Sequence, residues 1–206
     1  MRRFALVAAL GAVALATPAT AADILLGAYA HDVTFIGDTL GIGVSGREKG
    51  DGADIELGIR SDRIGALSWL GRPQAHAFIS LNTQGFSNFG AVGLSWPIPL
   101  GRTFYFRPGL GLALTDGKAG LPAVNAPGLA PAEIQRRLDL YEHRIDFGSK
   151  VLFEPELGLG AHLSPRLDAE LSWVHISNGE IFHHGKNQGL DDAGVRLIYR
   201  FGPHGG

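Results

Sequence analysis

Two side chains near the end of a predicted β-strand have the types and the spacing that can activate a nucleophile. His175 and Ser177 stand two positions apart in the sequence, so they should lie on the same face of a strand. From the rise per residue, their Cβ atoms should lie roughly 6.5–7 Å apart, which allows a hydrogen bond between imidazole and hydroxyl. An imidazole that takes the hydroxyl proton makes the serine a nucleophile. A His-x-Ser pair by itself is commonly incidental, so this chemistry depends on a third group.

The third group is an acid that orients the imidazole and stabilises its cation. Asp191 and Asp192 begin the next predicted strand, and alternation sends their side chains to opposite faces. Asp191 shares its face with Val195, and therefore with His175, whereas Asp192 points with Arg196 to the other face. We predict Asp191 as the acid and expect it to lie near His175, because both residues flank the same loop.

The strand face that carries the histidine and the serine is otherwise apolar. It reads Leu167, Ala169, Leu171, Trp173, His175 and Ser177, and the opposite face reads Asp168, Glu170, Ser172, Val174 and Ile176. If the apolar face meets lipid, polar groups on it are costly unless they have a function. The location of the three groups is therefore itself an indication of a functional site.

Alternating segments broken by Gly, Pro, Asn and Asp predict an all-β fold. Eight strands are predicted, at about 24–31, 53–61, 75–82, 88–96, 103–114, 148–162, 166–177 and 190–201. A soluble sandwich or lipocalin-type barrel would bury the apolar faces, whereas a membrane barrel turns them outward to lipid. The favoured prediction is an eight-stranded antiparallel transmembrane β-barrel of the outer membrane.

Charges in the middle of the predicted strands support the membrane barrel. Both signs occur on the polar faces, interspersed with glycine, and could pair inside the narrow lumen of an eight-stranded barrel. These residues are Glu56, Arg60, Arg107, Glu154, Glu156, Asp168, Glu170, Arg196 and Arg200. Aromatic residues near the predicted strand ends fit interfacial girdles, and they are Trp69, Trp96, Phe104, Trp173, Tyr199 and Phe201.

The lengths of the links predict the orientation of the barrel. With both termini in the periplasm, the short links 97–102 and 163–165 are periplasmic turns, and the longer links 115–147 and 178–189 are extracellular. The link 62–74 is longer than a periplasmic turn should be. A short helix is predicted at 131–142, because it starts with Pro and continues in good helix formers. The candidate site would then lie at the extracellular rim, level with the outer leaflet.

The first 21 residues predict an export signal. Arg2 and Arg3 precede an apolar stretch at 4–16 and a small-residue cleavage site at Ala19-Thr-Ala21. We therefore expect a signal peptide at 1–21 and a single barrel domain at 22–206. The net charge of -2 gives no reason to expect nucleic acid as a partner. With no cysteine in the chain, disulfides and thiolate chemistry are excluded.

The end of the chain resembles a known enzyme family. His175-Ile-Ser177-Asn178, followed by Asn187-Gln-Gly189-Leu-Asp191 and a closing aromatic strand, is similar to the lipid A 3-O-deacylase (PagL-like, acyloxyacyl hydrolase) family of outer-membrane barrels. The segment Phe153-Glu-Pro-Glu-Leu-Gly-Leu-Gly160 resembles the family's penultimate barrel segment. These motifs cover roughly the last 55 residues, and the strand rhythm extends the resemblance loosely over the mature chain.

The resemblance implies a Ser-His-acid hydrolase site on the outer wall of the barrel. Ser177 would attack the ester at position 3 of lipid A, His175 would be the general base and Asp191 the acid. The resemblance also implies an oxyanion-hole role for Asn178 and a supporting role for Asn187 and Gly189. The partner would be lipopolysaccharide in the outer membrane of a Gram-negative bacterium, with a homodimer as a candidate assembly. The scheme requires no cofactor and no metal.

Two departures from the family pattern and three alternatives accompany this hypothesis. The family's usual acid is Glu, whereas Asp191 is one methylene shorter, and the segment 178–187 is about two residues longer than the usual form. One alternative is a non-catalytic structural or lipid-binding barrel, and another is an outer-membrane esterase acting on phospholipid. A third is a metal site formed by Glu180, His183 and His184, although adjacent loop histidines are more commonly polar surface.

Overall fold

The computed structural model describes residues 23–33, 39, 52–182, 184 and 187–201. The predicted signal peptide lies outside these residues, so it stays a prediction. The strands are β1 (Asp23–Ala30), β2 (Ala53–Arg63), β3 (Gln74–Asn82), β4 (Phe89–Ser95), β5 (Ile98–Leu100), β6 (Phe104–Thr115), β7 (Val151–Ser164), β8 (Leu167–Ile176) and β9 (Leu190–Arg200). The described residues also include a 3-10 helix at Gly65–Leu70 and the helix α1 at Pro131–His143.

Eight long strands form a closed antiparallel barrel, as the sequence predicted. Each long strand pairs with its sequence neighbour, β9 pairs back with β1, and β4 pairs directly with β6. The short β5 pairs only with β6 and stands beside the ring. It occupies part of the link 97–102, which the sequence predicted as a plain turn. Among the described elements, no helix is long and apolar enough to cross a membrane.

The alternation along each strand separates an apolar outer wall from a charged lumen. In β8, Leu171 is 63% exposed, whereas its neighbour Glu170 is 1% exposed. Similar outward-facing apolar side chains occur on every long strand except β4, and they include Leu26, Leu57, Leu81, Leu110, Leu159 and Val195. A soluble barrel would bury these side chains, so this arrangement is that of an outer-membrane barrel.

Buried ion pairs fill the lumen, as predicted from the mid-strand charges. Arg107 donates to Glu170 at 2.5 and 2.8 Å and also pairs with Glu156. Arg196 donates to both carboxylate oxygens of Glu56 at 2.7 Å and reaches Glu156 at 3.1 Å. Because an unpaired buried charge is strongly unfavourable, these contacts let the charged faces lie inside.

The link 62–74 is long because it holds the 3-10 helix. The carbonyl of Leu70 in that helix accepts a 2.8 Å hydrogen bond from the indole N–H of Trp96. Trp69 is 78% exposed at this end of the barrel, which fits the predicted girdle. Trp173 does not fit it, because it is only 5% exposed and its indole N–H is engaged elsewhere.

Helix α1 lies in the longest described connection, between β6 and β7, as predicted. Pro131 occupies its first turn, where a missing backbone N–H costs nothing. Glu133 in the same turn accepts hydrogen bonds from Arg136 and Arg137, which lower the pKa of its carboxyl to about 2.

Candidate active site

The register between β8 and β9 brings the predicted base and acid together. His175 pairs directly with Asp191 across the two strands. The imidazole Nδ1 lies 2.8 Å from Asp191 Oδ1, and both side chains are buried. Because Nδ1–H donates to the carboxylate, the neutral imidazole has its basic lone pair on Nε2. This is the orientation that a general base paired with an acid requires.

Trp173 is part of this site, although the sequence predicted it as an interfacial aromatic. Its indole N–H donates a 2.9 Å hydrogen bond to the same Oδ1 of Asp191. Its ring also stacks on His175, with centroids 5.9 Å apart and an interplanar angle of 28°. The carboxylate oxygen is therefore held by two donors. The sequence held one indication that Trp173 belongs to the site: it precedes His175 by two residues, so the two side chains share a strand face.

Ser177 follows the last residue of β8 and remains tied to β7. Its backbone exchanges two hydrogen bonds with Phe153, of 2.7 and 3.1 Å. The side chain is half-buried, and no hydrogen bond joins its hydroxyl to the His175 imidazole within the described part of the chain. Catalytic hydrogen bonds are commonly long in free enzymes and tighten when substrate binds.

A tight turn directly after Ser177 is braced by Asn178. Gly179 and Glu180 both have left-handed backbones, with φ of 60° and 57°, and Ile181 N–H donates to the carbonyl of Asn178 at 3.2 Å. This conformation favours glycine at position 179. The Asn178 carboxamide accepts a hydrogen bond from Glu180 N–H and donates one to the carbonyl of Phe147, both at 2.6 Å. The side chain predicted for the oxyanion hole therefore connects two loops.

Asn187 contacts the backbone of Asn178, the residue after Ser177. Its Oδ1 accepts a 2.8 Å hydrogen bond from the backbone N–H of Asn178. This contact orients the carboxamide, while its NH₂ group makes no hydrogen bond to any described residue. Gly189 immediately precedes β9, which begins one residue before Asp191.

The predicted metal alternative receives no support from the described residues. Glu180 and His184 are exposed, and His183 lies outside the described residues. The clusters of potential metal ligands among the described residues lie elsewhere, around His31 and around His76.

The fold and the site together define a class of protein. The fold is that of an outer-membrane barrel with an apolar outer wall, and its β8 and β9 bring His175 and Asp191 into contact, with Ser177 two residues after the histidine.

The chain belongs to the lipid A 3-O-deacylase (PagL) family, whose family model matches residues 66–200. This match includes every predicted site residue and confirms the resemblance. Membership makes the protein a carboxylic ester hydrolase.

A solved structure shows the same fold. The crystal structure of the outer membrane enzyme PagL superposes with a TM-score of 0.54 at 14% identity, covering 86% of this chain and 98% of that one. The Yersinia pestis outer membrane protein Ail, solved in a phospholipid bilayer nanodisc, gives a TM-score of 0.43 at 12% identity, covering 89% of this chain and 100% of that one. No curated protein sequence matches the chain.

Proposed function

We propose that the protein is an outer-membrane esterase that hydrolyses the 3-O-linked acyl chain of lipid A with Ser177, His175 and Asp191. The observation that carries this proposal is the 2.8 Å contact between His175 Nδ1 and Asp191 Oδ1 on the outer face of the barrel wall. Ser177 lies two positions further along that face. A buried carboxylate hydrogen-bonded to an imidazole would be unfavourable on the apolar outer face of the wall if it had no role.

In the proposed reaction, His175 Nε2 takes the proton from the Ser177 hydroxyl as its oxygen attacks the ester carbonyl. Asp191 stabilises the imidazolium that forms. The imidazolium then gives its proton to the departing sugar oxygen, which leaves the acyl group on Ser177. Water, activated by the same imidazole, hydrolyses this acyl-enzyme and restores the free serine.

The oxyanion formed during attack needs hydrogen-bond donors. The resemblance assigned this role to Asn178, but its carboxamide already binds Phe147 and Glu180. The Asn187 carboxamide is better placed to donate, because its oxygen is fixed beside Ser177 and its NH₂ group has no described partner. Asn187→Ala should therefore lower kcat by roughly 10²–10³-fold. Asn178→Ala should instead loosen the turn and lower thermal stability.

The surroundings of the site suit a lipid substrate in the outer leaflet. The long connections 116–150 and 177–189 lie at the end of the barrel where β8 terminates, which supports an extracellular rim location. Leu171, Ile181, Phe182 and Val195 expose apolar side chains near the site, and Phe182 stacks on Phe153 with centroids 5.0 Å apart. Such a surface can accommodate acyl chains while the ester lies near the headgroup boundary.

The direct test is to express the protein in a lipopolysaccharide-bearing host and to compare lipid A masses. The wild type should remove one hydroxyacyl group, and Ser177→Ala should remove none. Ser68→Ala is a matched control, because it deletes an exposed hydroxyl in the 3-10 helix at the other end of the barrel. Unchanged lipid A with a folded wild-type barrel would contradict the proposal and favour a phospholipid substrate or a structural role. Chemical cross-linking in the same membranes tests the proposed homodimer.

A further inference from the structure

A second polar cluster lies inside the barrel, directly behind the proposed catalytic acid. It consists of His31 just after β1, Asp54 in β2 and Asp192 in β9. His31 Nδ1 lies 2.7 Å from Asp54 Oδ2 and 3.7 Å from Asp192 Oδ1. The three side chains are at most 2% exposed. Asp192 and Asp191 are adjacent in sequence, so alternation turns one to the lumen and the other to the outer wall.

Several polar atoms of this cluster lack partners. Neither carboxylate oxygen of Asp192 has a hydrogen bond in the described structure, and neither does His31 Nε2. Asp54 differs, because its oxygens bind His31 and the Asn82 side chain, the latter at 2.8 Å. A buried carboxylate without a partner is strongly unfavourable. The Asp192 side chain lies close to Asp54 and to the backbone at Asp32 but makes no hydrogen bond of ordinary geometry to either, so its oxygens can accept a further ligand.

The charge of the cluster points to a cation. Two carboxyl groups lie against one imidazole, so the cluster must either retain protons or bind a cation, and a metal ion would displace those protons. No described Lys or Arg side chain lies within ion-pair distance of either aspartate, and the closest candidate on β9, Arg196, is committed to the glutamates of the central lumen. The other candidate cluster, around His76, is different, because its Glu156 pairs with two arginines.

We propose that His31, Asp54 and Asp192 bind a divalent transition-metal ion, with Zn²⁺ as the best match. One imidazole nitrogen and two carboxylate oxygens form a donor set that suits Zn²⁺ and is unlike the all-oxygen sets of Ca²⁺ and Mg²⁺. Two ligands bound tetrahedrally at about 2.0–2.1 Å from Zn²⁺ are roughly 3.3 Å apart. The observed separations of 2.7 and 3.7 Å bracket that value, so small side-chain shifts suffice. Water can complete the coordination.

A metal ion at this site would restrict the position of Asp191, the proposed catalytic acid, from the lumen side of the barrel wall. It would join β1, β2 and β9 at one end of the barrel through one ligand from each chain segment. The backbone N–H of Val33, two residues after His31, already donates a 2.7 Å hydrogen bond to the carbonyl of Asp191. The ion therefore acts on the start of β9 and makes His31, Asp54 and Asp192 positioning residues for Asp191.

The test is metal binding by the full-length barrel, extracted from membranes without a polyhistidine tag and stripped with chelator. Zn²⁺ titrated alone should bind with about one equivalent per chain and raise the thermal unfolding temperature. His31→Gln and Asp192→Asn each remove one proposed ligand. Loss of an outer-shell partner already weakens metal binding roughly 10- to 100-fold, so each substitution should weaken Zn²⁺ binding by at least that factor. His184→Gln, which removes an exposed loop imidazole, should bind like the wild type.

The outcomes are distinguishable and do not depend on the esterase reaction. Absence of stoichiometric Zn²⁺ binding to a folded wild-type barrel would overturn the proposal, and so would equal binding by His31→Gln and Asp192→Asn. Binding that disappears in His184→Gln would assign the ion to the loop and overturn it as well. Ca²⁺ and Mg²⁺ titrations should give no stabilisation at concentrations where Zn²⁺ does. A Zn²⁺-dependent rise in kcat at constant KM, absent in Asp192→Asn, would support the positioning role.

Discussion

The hydrogen bond from Trp173 to Asp191 should contribute measurably to catalysis. Trp173→Phe removes the indole N–H that lies 2.9 Å from Asp191 Oδ1, while most of the aromatic packing on His175 is kept. One of the two donors to that oxygen is then lost, and the carboxylate is free to rotate away from the imidazole. We expect a lower kcat and an almost unchanged KM, because the bond does not contact substrate.

The magnitude follows from the chemistry of the bond. A hydrogen bond to a charged acceptor contributes about 1.5–3 kcal/mol. If all of that is lost from the transition state, kcat falls by roughly 10- to 150-fold, at 1.36 kcal/mol for each factor of ten. The lower part of this range is expected, because the contact between His175 and Asp191 remains in the variant.

The assay is release of hydroxy fatty acid from lipopolysaccharide in detergent micelles, followed by mass spectrometry over time. Trp96→Phe is a matched control, because it removes an indole hydrogen bond of 2.8 Å at the other end of the barrel. It should leave kcat unchanged. A folded Trp173→Phe barrel with full kcat, or an equal loss of activity in both variants, would refute the contribution of the indole hydrogen bond to catalysis.

Three further substitutions test the site and the barrel. Asp191→Asn should lower kcat by roughly 10⁴-fold in the same assay, as replacing the acid by its amide does in other triads, because the amide favours the wrong imidazole tautomer and the imidazolium loses its counter-charge. Arg107→Met should lower the free energy of unfolding by about 3–5 kcal/mol in urea titrations, because it removes one of the two arginines that pair with the buried Glu156 and Glu170 and leaves only Arg196 to neutralise them. Gly194→Ala should reduce the yield of folded barrel on refolding, because the new Cβ would lie 2.1 Å from the carbonyl oxygen of Ala28 in β1.

Each of these substitutions has a control or a contradicting result. An Asp191→Asn barrel that keeps activity within about tenfold of wild type would remove this residue from the triad. Arg136→Met, which deletes an exposed arginine of α1, should leave the free energy of unfolding in urea unchanged. If it lowers that free energy as much as Arg107→Met does, the buried pairs contribute no more to stability than exposed ones. Gly120→Ala should fold like the wild type, since nothing lies within 4 Å of its added Cβ. Normal folding of Gly194→Ala would show that β1 and β9 can move apart.

The sequence by itself determined the strands, the two faces of the wall and the contact between His175 and Asp191. Alternation with a period of two is a local property of the chain, so it assigned Glu170 to the lumen and Leu171 to the outside without knowledge of the fold. The same alternation assigned the side chains of Asp191 and Asp192 to opposite faces of the wall. Because a single loop joins the two consecutive strands, their neighbourhood could be inferred as well.

Only the tertiary structure decided which polar groups meet across strands that are distant in sequence. Trp173 could equally be a girdle residue until the register placed its N–H against Asp191. Asn178 followed the family's serine, yet its carboxamide is occupied by Phe147 from a loop 31 residues away in sequence. The cluster of His31, Asp54 and Asp192 needs barrel closure, because the pairing of β1 with β9 brings the two ends of the barrel domain together. Such contacts depend on register and closure, which periodicity along one strand does not encode.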